Sequence, residues 1–232
     1  PAPAMIGTPR VHHRLTDSTN ERAKALAAAA APHGTLVTAD EQSAGRGRQG
    51  RVWSAPPGSA VLMSVILREL DERHALLPLA AAVAVCEALP VQAAVKWPND
   101  VWIDRRKVAG ILVEARPQAG WAVLGIGLNV TTESFPPELA DTATSLHLAG
   151  VDSTPDRLLV DLLSVLPRWL DAPPGEVLAA WRSRDALMGD PVKWSAGTGI
   201  AAGIDDSGAL LVDTGDTRVA LDAGEVHLSQ QP

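Results

Sequence analysis

The stretch EQSAGRGRQGRVW, residues 41–53, decides the fold. Its centre, Gly45-Arg46-Gly47-Arg48-Gln49-Gly50, matches the spacing G-x-G-x-x-G. A dinucleotide fingerprint needs a strand before it, a helix opening within it and an acid about 20 residues on. TLVTAD (35–40) supplies the strand and Glu69 a tolerable acid. The helix is missing. Eight residues separate Gly50 from the apolar run that begins at Ser59, and Pro56 and Pro57 are among them. A crossover helix does not fit, so the match to the dinucleotide fingerprint is accidental. Three arginines on a glycine-rich loop also read as a solvated surface loop, or as a grip on a polyanion through paired guanidinium donors. With no apolar residue between 45 and 51 to hold it, the loop is expected to be mobile without ligand.

Outward from this loop, Ser18 and Glu21 stand at capping-box spacing ahead of strong helix formers, which should stop near Pro32–Gly34. SAVLMSVIL (59–67) reads as a buried strand and residues 75–89 as an apolar helix. AAVKW and VWI are short strands around the turn Pro98-Asn99-Asp100. KVAGILVEA and GWAVLGIGLNV read as antiparallel neighbours, residues 131–153 as loop, and 155–170 and 174–187 as helices. After Gly189 come five short strands with turns such as Asp206-Ser207-Gly208, the pattern of a small β-barrel. The fold class is therefore α+β: a mixed, mostly antiparallel sheet with flanking helices, plus a small C-terminal SH3-like β-barrel. The expected division is 1–187 and 188–232, with the barrel a satellite.

The 232 residues are 46% apolar, which suits a folded core, and the net charge is −7. Residues 187–232 hold seven acids against two bases, and no broad basic face emerges, so nucleic acid is not an expected partner. The single Cys86 admits no internal disulfide and suits a reduced, cytoplasmic setting. The longest apolar run, 76–89, is short for a membrane span and carries Glu87. No membrane association is expected. Scattered histidines argue against zinc, and no P-loop motif is present.

Five segments in order, STN (18–20), GRGRQGRVW (45–53), KWPND (96–100), RKVAGILVE (106–114) and GIGLNV (125–130), resemble the catalytic domain of biotin protein ligases, also called biotin–[acetyl-CoA-carboxylase] ligases. The resemblance covers essentially the whole chain and departs mildly at Gln49, where the family usually has arginine. No helix-turn-helix segment precedes residue 15, so it points to the short class without a DNA-binding domain.

What the resemblance implies is a ligase that makes biotinyl-5′-AMP from biotin and ATP, with substrate-borne Mg²⁺, and passes biotin to a lysine of a biotin carboxyl carrier domain of an acyl-CoA carboxylase. A weak homodimer is compatible with it. Lys107, Arg48 and Asp100 would be catalytic. Biotin would meet Ser18, Thr19, Asn20, Gln42, Gly45, Arg46, Gly47, Arg48, Lys107, Gly110, Gly125 and Gly127. ATP would meet Arg48, Arg51, Trp53, Lys96, Asn99, Lys107 and Asn129, and Asp100 would share Mg²⁺. Read without the resemblance, Ser18 is equally a helix cap, Lys107 a surface lysine, Trp53 a core side chain, and Gly125 and Gly127 a close strand–helix contact. A lipoate or octanoate ligase of related fold and a non-enzymatic biotin-binding module remain the alternatives.

Overall fold

The computed structural model describes residues 5–222, 224 and 226–228. Seven strands form the main sheet: β1 (Arg10–Thr16), β2 (Leu36–Gln42), β3 (Ala60–Arg68), β4 (Ala94–Lys96), β5 (Asp100–Ile103), β6 (Arg106–Arg116) and β7 (Trp121–Asn129). Their spatial order is β1-β2-β3-β7-β6-β5-β4. Only β1 and β2 run parallel, joined by helix α1 (Thr19–Ala28), and every other neighbour is antiparallel. β1 carries no apolar alternation because it is a sheet edge with mostly exposed or half-exposed residues, so its sequence shows none of the usual strand signal. α1 stops at Ala28, short of the expected end, and Ala30 turns the chain with a positive φ of 64°.

Strand alternation sends the residues of β3, β7 and β6 to two faces. On one face Met63, Val65, Leu124, Ile126 and Ile111 join the larger core under α2 (Leu77–Ala88) and α3 (Pro155–Asp171). α2 is buried nearly all round, which explains its unbroken alanine and valine run. On the other face Ile66 and Val123 make a small core with Ala23 and Ala27 of α1. α1 covers only part of this face. Beyond its N-terminus the floor is set by Gly125 and Gly127 of β7 and Gly110 of β6, and there the site forms.

α4 (Pro174–Arg182) leads to a second, antiparallel sheet of β8 (Pro191–Trp194), β9 (Gly197–Ile204), β10 (Leu210–Asp213), β11 (Arg218–Leu221) and β12 (His227–Leu228), in the order β11-β10-β9-β8-β12. The five expected short strands are all present. One hydrophobic cluster runs from the first sheet into Val192, Ala201, Ile204, Leu210, Val212 and Val226. The C-terminal unit is therefore packed as a continuation of the main core and not as a satellite. Buried Trp97 crosses the seam, its Nε1 donating to the Gly208 carbonyl at 3.0 Å. Among the described residues no helix is long and apolar enough to cross a membrane.

Candidate active site

Cross-strand register aligns Ser64, Gly125 and Leu112 in one row and Leu62, Gly127 and Gly110 in the next. The N-terminus of α1 drops into the first row. A Cβ on Gly125 would lie 2.1 Å from Asn20 Oδ1, so the missing side chain is what admits Asn20. Asn20 Oδ1 lies 2.6 Å from Ser64 Oγ, and Asn20 Nδ2 donates to Glu114 Oε2 at 2.9 Å. Ser64 Oγ also lies 2.8 Å from Thr19 Oγ1. Gln42 Oε1 takes the Thr19 backbone N–H at 2.7 Å and its hydroxyl at 3.1 Å. Ser18, Thr19, Asn20 and Ser64 are all buried.

Ser18 stands at the N-cap position, but its side chain makes no capping bond. Asp17 accepts the Ser18 N–H at 2.7 Å instead, and Glu21 turns to Lys24 and Arg46, so the capping box does not form. Arg22 holds the Asp17 carboxyl down to a pKa of about 2, with the Ser18 N–H adding to the effect.

The glycine–arginine loop crosses this trough as a narrow hairpin. Arg46 bridges to Val52, Gly47 N donates to Arg51 O at 2.8 Å, and Trp53 N donates to Gly45 O at 2.9 Å. A Cβ on Gly45 would collide with Trp53 O at 2.2 Å and with Gln42 Nε2 at 2.7 Å, so that glycine permits the close crossing. Gln49 turns the chain at φ 54°. Two of the loop's three arginines have side-chain partners in the structure. Arg46 pairs with Glu21 and lies 3.6 Å from Glu114, and Arg48 donates to Asn99 Oδ1 at 3.2 Å. The Trp53 indole lies over the second row: a Cβ on Gly127 would be 2.4 Å from it and one on Gly110 3.0 Å. Its buried Nε1 has no hydrogen-bond partner. The glycine faces thus accommodate Asn20 and Trp53.

Beside the trough lies a set of cations. Lys107 curls back over Gly110, its Nζ 2.7 Å from Asp100 Oδ1 and 5.6 Å from the Trp53 ring centre. Asp100 pairs with Gly110 across β5–β6 and with Lys96 across β4–β5. Burial lowers the Lys96 pKa; Asp100 opposes the shift, and Lys107 and Arg51 add to it. Burial likewise lowers Arg48, with Asp100 opposing. Asn99 is fixed by donating to Ile111 O at 2.7 Å. Burial together with Lys96, Arg51 and Lys193 depresses His227, so the edge of the second sheet also feels this field. Asn129 donates to Thr144 O at 3.1 Å, while its buried Oδ1 lacks a partner. The segment 142–144 brackets Lys107 with two backbone bonds, from Lys107 N to Thr142 O and from Thr144 N to Lys107 O. Among the described residues no cluster of three His, Cys, Asp or Glu is able to hold a metal.

An apolar-backed trough with neutral donors and acceptors therefore opens onto a cationic pocket, with Lys107 at the junction. Residues 12–130 match the family model described as biotin/lipoate A/B protein ligase family. The chain belongs to that family. Residues 191–229 match the biotin protein ligase C-terminal domain. The chain is 38% identical to the biotin–[acetyl-CoA-carboxylase] ligase of Mycobacterium tuberculosis, over 92% of this chain and 86% of that one. It is 36% identical to the bifunctional ligase/repressor BirA of Bacillus subtilis, over 97% and 75% respectively. Among solved structures, the biotin protein ligase of Aquifex aeolicus in complex with biotin and ATP superposes with a TM-score of 0.85 at 30% identity, covering 97% of this chain and all of that one.

Within this family member the five motifs converge. Thr19, Asn20, Gln42, Gly45, Gly110, Gly125 and Gly127 line or floor the trough; Arg48, Asn99, Asp100, Lys96 and Lys107 gather at its mouth. Ser18 is buried at the head of α1, and Arg46 is tied to α1 through Glu21. Asn129 lies near Lys107 through the 142–144 segment. Sequence reading passed over Ser64 and Glu114. Glu114 shares strand parity with Gly110, and Ser64 stands opposite Gly125, so the period of two contained the signal.

Proposed function

We propose that the chain activates biotin with ATP to biotinyl-5′-AMP and then transfers biotin to a lysine of a biotin carboxyl carrier domain. One observation carries this: Lys107 stands where a neutral, hydrogen-bonding trough meets a cationic pocket. The ureido ring suits the Thr19–Asn20–Gln42 end, because a neutral polar ring in a closed site needs a few placed donors and acceptors. Trp53 lies against Gly127 and Gly110, so its indole swings off the glycine floor for the valeryl chain to run along it toward Lys107.

In the first step a biotin carboxylate oxygen attacks the α-phosphorus, the bond to the β-phosphate oxygen breaks, and pyrophosphate leaves. Two anions must meet. Lys107 and Arg48 offset that repulsion and stabilise the charge on the phosphorane-like transition state. Arg51, Lys96 and Asn99 hold the phosphates, Trp53 offers its ring face to adenine, and Asn129 completes the nucleotide side. In the second step a neutral carrier lysine nitrogen attacks the acyl carbon, and AMP leaves with the anhydride oxygen. Asp100 pairs Lys107 before substrate arrives and orients the incoming lysine.

Mg²⁺ fits this donor set only as a passenger of the triphosphate, with Asp100 as the protein carboxylate beside it. When bound, it supplies charge neutralisation on the phosphates. The single cysteine, Cys86, is buried and unpaired, as suits a reduced, cytoplasmic setting. The test is mass spectrometry of the protein with biotin and MgATP. Biotinyl-AMP is the expected product. Its absence, together with adenylate formation from lipoate or octanoate, would reassign the substrate.

A further inference from the structure

Glu21 has the spacing of a capping-box partner, yet it turns away from Ser18 and reaches the glycine–arginine hairpin, where it pairs with Arg46. The same Glu21 oxygen accepts from Lys24 Nζ at 2.7 Å. Lys24 Nζ also donates to Glu114 Oε1 at 2.9 Å, and that oxygen lies 3.6 Å from Arg46 Nη2. Two acids and two bases thus alternate in a closed ring. Three elements meet in it: the hairpin through Arg46, α1 through Glu21 and Lys24, and β6 through Glu114. The Arg46 and Glu21 side chains are 47% and 36% exposed, so the ring lies at the rim of the trough and not on its floor.

The hairpin that Arg46 ties down also covers the floor. Gly47 N donates to Arg51 O and Trp53 N to Gly45 O, so the segment bearing Trp53 is bonded to both neighbours of Arg46. The Trp53 indole lies against Gly127 and Gly110. A ligand that reaches the floor must displace this indole. Between residues 45 and 51 no apolar side chain holds the hairpin, which leaves its polar tethers to decide how often it lifts.

We infer that Glu21 is a positioning residue: it latches the hairpin through Arg46, and so sets how fast biotin enters and leaves. The inference rests on the biotin-activating function proposed above. A rim pair is made whether the floor holds the indole or the ligand, so it steadies the closed hairpin in both states alike. A contact equal in two states does not shift the balance between them. Its loss therefore changes rates and not affinity. Glu114 also holds Asn20, so Glu21 is the acid of the ring whose removal leaves the trough lining in place.

Glu21→Ala tests it. Stopped-flow tryptophan fluorescence gives the association rate of biotin, a chase of tritiated biotin gives the dissociation rate, and calorimetry gives Kd. Both rates should rise about three- to fivefold, the range of one partly exposed ion pair, while Kd stays within about twofold. First-turnover adenylate formation at saturating biotin and ATP should stay near wild type. Removing an acid near an anionic ligand would, by charge alone, slow its departure, so faster departure marks the latch. In an Arg46→Ala background, Glu21→Ala should add nothing to either rate.

Salt supplies a second measurement without any variant. Raising it from about 0.05 M to about 0.5 M screens the pair and should speed the release of biotinol, which has no carboxylate, from wild type. Unchanged rates in Glu21→Ala overturn the latch, and so does faster release with unchanged association and a weaker Kd. If Glu21→Ala does not fold, biotinol release from wild type decides, and a rate that does not respond to salt overturns the latch. Wild type that binds neither compound would instead overturn biotin activation itself.

Discussion

Gly125→Ala is a one-carbon change with a calculable cost. The new Cβ would lie 2.1 Å from Asn20 Oδ1, 1.3 Å short of the 3.4 Å at which ordinary contact begins. Gly125 is central in a strand paired on both sides, so the backbone has little room to yield. Asn20 must move instead, and bonds of 2.6 and 2.9 Å do not survive a shift of that size. The Ser64 bond is neutral, worth about 1 kcal/mol, and the Glu114 bond is charge-assisted, worth about 2 kcal/mol. Their sum, about 3 kcal/mol, should lower Tm by roughly 10 °C for a chain of this size. Loss of the aligned Asn20–Thr19 end should also weaken biotin binding by about a hundredfold. Differential scanning calorimetry and isothermal titration with biotin give the two numbers. An alanine variant with wild-type Tm and wild-type affinity would refute the claim that Gly125 exists to admit Asn20.

Lys107→Ala should cut pyrophosphate release about a hundredfold, since one preorganised charge contact to a transition state is worth about 3 kcal/mol, and Lys107→Arg should retain part of the rate; near-normal release by the alanine variant removes Lys107 from the chemistry. Asp17 has its folded pKa depressed to about 2 by Arg22 and the Ser18 N–H, so its stabilising effect is present above the unfolded carboxylate range and is lost as pH falls through about 2. Asp17 is largely exposed, which limits the effect to under about 1 kcal/mol, and urea denaturation of wild type and Asp17→Asn from pH 6 to pH 2 should show a gap that closes as the pH falls; a gap that widens on acidification would contradict it.

The long buried elements were legible because their residues satisfy one rule each: β3 and β7 are continuous apolar strands, α2 an alanine and valine helix buried nearly all round. β1 was not legible, since an edge strand with two histidines and two arginines carries no burial pattern. The site residues were legible as motifs, but not their mutual use. Ser18 and Glu21 have the spacing of a capping box, and tertiary partners claim Glu21 instead. Glu114 ends an apolar run and looks like a solvent-facing terminus until α1 is laid across it. The partners of the loop arginines were not legible, because Glu21 is about twenty-five residues from Arg46 in sequence and Asn99 about fifty from Arg48.

The turn that carries Asn99 and Asp100 begins at Trp97, and Trp97 is tied to Gly208 in the second sheet. The acidic C-terminal unit and the turn beside Lys96 and Lys107 therefore share one fastening. The chain crosses from the first unit to the second between Leu187 and Pro191, and on either side of that crossing the apolar surfaces are continuous. Cutting the chain there would leave each piece with an open apolar face. The acidic C-terminal unit is thus a brace behind the turn that carries Asn99 and Asp100.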